Sequence, residues 1–296
     1  MNGETTLTNP RAERVRAVRA LAGRSARQRS GRFLVEGPQA VREAVRADHV
    51  HLRDVYVTAE AAQRYPEIVA SADGRAVSVH VGTPEVLEAM SADAQGVLAV
   101  ADLLTADLAT VLAGRPRLVA VLAHVRDPGN AGAVVRTADA AGAGAVLLTD
   151  ESVDLHNPKV VRSTAGSLFH VPVVTGVPLT RAVVALRQAG CTVLATAGSG
   201  AYDLDDLLDA AGRTDADLPG TGRAATNGID PVPDLAAPTA WVFGNEAWGL
   251  RDDELALADA VARVPIHGRA ESLNLATAAA VCLYASAHAQ RSCGRA

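Results

Sequence analysis

At 296 residues the chain exceeds the usual size of one compact α/β domain, so two domains are expected, each with its own core. Hydrophobic residues make up 49% of the sequence and aromatics only 3%, which describes a globular chain whose interior is built mainly from Ala, Val and Leu. The net charge of −5 excludes a uniformly basic polyanion binder, yet residues 1–46 hold ten Arg and four Glu, so a local basic surface is expected there. Lys159 is the only lysine, and arginine does the cationic work.

The apolar stretch Val97 to Leu112 is interrupted by Asp102 and Asp107, so no membrane span is expected. Met1 to Pro10 is polar and lacks a secretory apolar run, which points to the cytoplasm. Cys191, Cys282 and Cys293 form no CxxC pair and are odd in number, an arrangement expected to give inert thiols without a disulfide framework or metal site.

In chain order, Arg11 to Arg32 carries eight Arg with few large apolar residues. FLVEGPQAVREAV (33–45) then predicts a short strand and a helix opening at Pro38, with Val41 and Val45 one turn apart. Strands are predicted at 55–57, 77–81 and 96–101, and helices at 59–70 and 83–90. Together they make a small N-terminal α/β domain, placed at 1–110. From 111 to 296 strands alternate with helices: strands at 115–125, 145–149, 170–174, 192–196 and 241–244, helices at 131–141, 159–167, 180–189 and 272–288. That alternation predicts a mainly parallel sheet covered by helices. Residues 209–238 are dense in Gly, Pro and Asp without apolar periodicity, and are read as a flexible insertion.

Three stretches carry chemistry. DPGNAGAVVRTADAAGAGAVLLTD (127–150) follows a buried strand and runs through a helix into another. It admits a dinucleotide reading through Gly129, Gly132 and Asp150, although only GxxG is present, and a plain structural reading with Asn130 as N-cap and Arg136 solvated. WVFGNEAWGL (241–250) puts two glycines and Glu246 just after a strand, as an ordinary turn also would. VPIHGRAESLNLATAAAVCLYAS (264–286) is a glycine-bearing loop entering an Ala-rich helix, with Ser272 as the expected N-cap.

Together and in this order, the three stretches resemble the three motifs of the SpoU branch of the SPOUT RNA methyltransferases, over about residues 116 to 290. NPKVVRSTAGSLFHVPV (157–173) is similar to the thiostrepton-resistance-type ribosomal RNA enzymes of that family. RSARQRSGRFLVEGPQAVREAV (24–45) is similar to their substrate-binding domain, a fold shared with ribosomal RNA-binding proteins.

The resemblance implies an α/β catalytic domain with a parallel sheet, helices on both faces and a deep C-terminal trefoil knot. It implies S-adenosylmethionine as methyl donor, bound through Gly244, Ile266 and Leu275, a homodimer, no metal, and RNA, in particular 23S ribosomal RNA, as substrate. It gives the catalytic role to Arg136, with Asn130, Glu246, Ser272 and Asn274 in support. A guanidinium keeps its proton near neutrality, so the physical reading makes Arg136 a clamp on an RNA phosphate. Arg27 and Arg29 are the expected RNA contacts of the basic segment, and a solvated arginine-rich tail is the competing reading. Two other classes stay open: a non-catalytic RNA-binding protein, for which the five motif residues have no purpose, and a nicotinamide-dependent oxidoreductase, which would co-purify with NAD.

Overall fold

The structure is a computed structural model that describes residues 6–211 and 232–293. Most of the expected insertion therefore lies outside the described residues. Its described end is packed: Leu235 is fully buried and the Asp234 carboxylate accepts from the Ala236 N–H at 2.9 Å.

The chain divides into two compact units. The first takes Met1–Thr105 together with Pro128–Arg136 and Val153–His170. Its elements up to the first sheet's last strand are α1 (Glu13–Ala20), α2 (Arg24–Ser30), β1 (Arg32–Glu36), α3 (Pro38–Arg46), β2 (Leu52–Thr58), α4 (Ala59–Arg64), α5 (Pro66–Gly74), β3 (Ser78–Gly82), α6 (Pro84–Met90) and β4 (Val97–Asp102). The strands form a sheet of order β1-β4-β2-β3, antiparallel except for β2 with β3.

The arginine-rich segment is helical. Val15, Val18 and Leu21 fall on one face of α1 and its end, and they enter a core with Leu34, Tyr56, Leu87, Met90 and Leu98. Arg11, Arg16 and Arg19 are exposed, whereas the Arg14 guanidinium lies 3.2 Å from the His80 ring nitrogens. The single helix expected over 59–70 is two, because a proline cannot donate within a helix and Pro66 instead opens α5 at its first turn.

The second unit takes Ala106–Asp127, Thr137–Ser152 and Val171–Ala296. It contains α7 (Leu108–Ala113), β5 (Leu118–Leu122), β6 (Ala145–Thr149), β7 (Val173–Val177), α10 (Leu179–Gln188), β8 (Thr192–Thr196), β9 (Tyr202–Asp203), α11 (Leu204–Ala210), β10 (Thr239–Phe243), α12 (Asp252–Leu255), β11 (Ala260–Arg263) and α13 (Leu275–Cys293). Helix α8 (Pro128–Ala141) begins in the first unit and ends in the second, and α9 (Pro158–Ser163) belongs to the first.

All seven strands of the second sheet are parallel, in the order β7-β6-β5-β10-β8-β11-β9. Strand alternation sends Val119, Val121, Val193 and Val242 to one face, against Leu108 and Leu112 of α7 and Ala182, Val183 and Leu186 of α10. The buried Trp241 donates its indole N–H to Ser286 of α13 at 2.9 Å, which fixes α13 on the sheet. The parallel arrangement places the carboxyl ends of β8, β10 and β11 side by side at one edge, where ligands of open α/β sheets bind.

Candidate functional site

A cleft of about 340 Å³ opens at those carboxyl ends. Its walls are the residues after β8 (Thr196, Ala197, Gly198), the loop after β10 (Gly244 to Ala247, and Gly249), and the segment from Val264 to the start of α13. Gly244, Ile266 and Leu275 all line it, together with Glu246 and Ser272. Phe243, Ile266, Leu273 and Leu275 give it an apolar wall, and the volume suits a nucleoside-sized ligand.

The loop after β10 is tightly fastened. Asn245 and Gly249 exchange two backbone hydrogen bonds of 2.9 Å, and Gly249 takes the left-handed conformation at φ 69°. The Asn245 side chain is buried, donates to the His124 carbonyl at 2.7 Å and accepts from the Ala247 N–H at 2.8 Å. A Cβ on Gly244 would come within 3.0 Å of backbone atoms of Gly249 and Leu250, so only glycine lets the loop close this far. Glu246 spends both carboxylate oxygens on backbone donors, Oε1 on Asp127 N–H at 3.1 Å and Oε2 on Arg126 N–H at 3.3 Å. It thereby ties this loop to the residues that lead into α8.

Asn274, not Ser272, is the cap of α13. Its Oδ1 accepts from Ala276 N–H at 2.9 Å and Thr277 N–H at 3.4 Å, and the helix begins at Leu275. That leaves exposed Ser272 in the loop at the cleft wall. Asn130 is likewise not an N-cap, because α8 starts at Pro128, whose fixed φ suits the first helical turn. Arg136 lies further along α8 and is exposed. Neither lines the cleft. The GxxG of this stretch serves packing: a Cβ on Gly132 would come under 3.0 Å from Ser163 of α9, and the Ser163 hydroxyl donates to the Gly129 carbonyl at 2.9 Å. That close helix contact accounts for the second glycine without a dinucleotide phosphate.

Arg27 departs from its expected place on an RNA surface. It is 3% exposed, and its guanidinium donates to Asp154 at 2.6 Å and to the carbonyls of Leu21 and Ala22 at 2.9 and 2.7 Å. Every one of those partners competes with a phosphate. Arg29, two residues on, is exposed. Burial pulls the Asp154 carboxyl up, but the Arg27 hydrogen bond, the His156 N–H and the Arg27 charge together outweigh it and hold the group below the usual carboxylate range. The neighbouring His156 accepts from Leu104 N–H at 3.0 Å, packs edge-on to Phe33, and burial pushes its pKa down to about 4. A second tie joins Arg162 of α9 to Glu36, whose other oxygen accepts from the Ser91 hydroxyl, and to Asp93 at 2.9 Å.

Sequence reading missed Asn245, although it stands between two residues that were chosen, because its task is to hold the loop. It also missed Thr196 to Gly198, which carry no motif. His124 and Glu254, paired at 2.8 Å with Glu254 buried, support the same loop from below through the His124 carbonyl. Cys191 and Cys282 are buried, which raises both thiols, Cys282 to about 12. Among the described residues no group of three His, Cys, Asp or Glu could hold a metal ion, and no helix is long and apolar enough to cross a membrane.

This parallel sheet with its cleft matches a known pattern: residues 117–284 fit the SpoU rRNA Methylase family and residues 12–99 the MRM3-like substrate binding domain. The chain belongs to the SpoU rRNA methylase family. It is 30% identical over 282 residues to the 23S rRNA (guanosine(2553)-2′-O)-methyltransferase RlmP of Bacillus subtilis (strain 168), covering 92% of this chain and 95% of that one. Among solved structures it is similar to the SpoU methyltransferase AviRb from Streptomyces viridochromogenes in complex with AdoMet, at TM-score 0.75 and 28% identity over 95% of this chain and 100% of that one. It is also similar to an rRNA methyltransferase from Sinorhizobium meliloti, at TM-score 0.76 and 26% identity over 96% and 97%.

Proposed function

We propose that this protein transfers a methyl group from S-adenosylmethionine to a ribose 2′-hydroxyl of RNA, with 23S ribosomal RNA as the substrate. The observation that carries the reading is the cleft itself, where the loop after β10 and the segment between β11 and α13 bring Gly244, Glu246, Ile266, Ser272 and Leu275 to the carboxyl ends of parallel strands. The apolar wall suits an adenine ring, and the close backbone approach at Gly244 leaves main-chain groups to hold its polar edge.

A ribose hydroxyl is a weak nucleophile at neutral pH, so the protein must align it with the methyl and assist loss of its proton. The bound donor supplies an electrophilic sulfonium methyl. Arg136, exposed and cationic on α8, clamps the RNA phosphate beside the target ribose, and Asn130 acts from the first turn of the same helix. Glu246 braces the entry to α8 through the two N–H groups it accepts, and Asn274 sets the start of α13. Ser272 remains at the cleft wall as a polar group for donor or ribose.

The reading extends to the rest of the chain. Residues 1–110 bind the RNA, through Arg29 and exposed arginines of α1, and residues 111–296 form the methyltransferase domain, with a C-terminal trefoil knot. Val281 and Tyr284, both exposed on one side of α13, favour a homodimer that covers them. The protein works in the cytoplasm, where ribosomal RNA is modified. Mapping 2′-O-methyl groups on 23S ribosomal RNA from cells with and without the gene tests the reading: one site should disappear, and an unchanged map would refute it.

A further inference from the structure

The second tryptophan has no part in the cleft or the core. Trp241 is fully buried under α13, whereas Trp248 leaves half its surface to solvent. Ala247 and Gly249 on either side of Trp248 line the cleft, and the Trp248 side chain does not. The Arg126 guanidinium lies over its ring, 5.3 Å from the centroid, and Arg126 is exposed as well. Both are held by the fastened part of the site: Asn245 fixes the loop that carries Trp248, and Glu246 accepts from the Arg126 N–H.

We propose that Trp248 and Arg126 form a stacking platform for a nucleobase of the RNA, adjacent to the methylated nucleotide. The inference rests on the RNA methyltransferase reading of the cleft. An exposed indole costs the free protein an unfavourable apolar surface, and here it is presented on a rigid loop at the rim of the cleft, with a cation beside it. That combination is what single-stranded nucleic acid uses: a π-face for the base and positive charge for the neighbouring backbone. A nucleotide drawn toward the cleft leaves the bases next to it unstacked, and a preformed aromatic surface replaces the lost stacking. Because the ring stands outside the cleft, the base it takes belongs to the RNA and not to the adenine of the methyl donor.

The test uses the full-length protein and a 23S ribosomal RNA fragment that contains the methylated position. In the free protein iodide should quench Trp248 and leave buried Trp241 untouched; adding the RNA should protect Trp248, and S-adenosylhomocysteine alone should not. Trp248→Ala should raise the RNA KM by about tenfold or more, the range of one base–aromatic stack, with kcat and donor affinity held. Trp248→Phe should recover most of that loss. Protection by S-adenosylhomocysteine alone, shielding from iodide before RNA is added, or an unchanged RNA KM in Trp248→Ala would each overturn the proposal. Methyl transfer by the wild-type protein in the same assay keeps these outcomes separate from a failure of the proposed function itself. RNA protection of Trp248 without any methyl transfer would support the platform and refute that function.

Discussion

Gly244 shows how a single missing methyl group shapes the cleft. Its Cβ would fall within 3.0 Å of the main chain of Gly249 and Leu250, where no flexible side chain can give way, so Gly244→Ala must displace the loop. We expect donor affinity to fall about tenfold or more in Gly244→Ala, measured by calorimetry with S-adenosylmethionine. Unchanged affinity would mean that the loop does not touch the donor. Arg136 behaves differently, because it lies on α8 and is not part of the cleft wall. Arg136→Ala should leave donor affinity intact and lower kcat by more than about tenfold, a barrier change above ~1.4 kcal/mol. A variant that kept its rate would remove Arg136 from catalysis.

At the scale of elements, sequence patterns located most helices and strands but misjudged their ends, and the reasons are specific. Ser272 and Asn274 are both good N-caps, and only the Asn274 carbonyl meets two free N–H groups of α13. The expected helix over 159–167 stops at Ser163, because Ala165 and Gly166 take left-handed conformations at φ 51° and 101°. β9 and β11 are two and four residues long, too short to leave a periodic signal, yet β11 leads directly into the cleft wall. The turn before α9 makes a pH prediction. His156 is held neutral by burial with its pKa near 4, below the ordinary value of 6.5, so the unfolded chain binds the proton first and stability falls as pH drops from about 6.5 to about 4. Asp154, also depressed, adds a further loss at lower pH as it protonates. Thermal melts between pH 7.5 and 4.5 should show this decline, and His156→Gln, which keeps an acceptor for Leu104 N–H, should flatten it. Equal slopes for both proteins would show that His156 is not the group responsible.

For the whole molecule, charge counting found the basic N-terminal region but could not tell its arginines apart. Arg27 and Arg29 look equivalent in the sequence, and only folding reveals that one is buried against Asp154 and the other solvated. Arg27→Ala should therefore destabilise the fold by about 3 kcal/mol, as expected when a buried charge loses its partner. Arg29→Ala should leave stability alone and reduce the salt slope of RNA binding by roughly 0.7 to 0.9 units. An unchanged slope in Arg29→Ala would move the RNA contact to the arginines of α1. The cleft-lining residues Gly244, Ile266 and Leu275 were legible because the motifs carried them, whereas Asn245, which fastens the loop after β10, was not, since nothing in composition marks a side chain that works by holding backbone.

The identity of one reaction product decides whether this protein is a ribose methyltransferase. Purified protein, given 23S ribosomal RNA and S-adenosylmethionine carrying a labelled methyl group, should place the label on a ribose 2′-oxygen at a single position, read as one 2′-O-methylnucleoside by mass spectrometry after digestion. Label on a base, or no transfer although the donor binds, would contradict it.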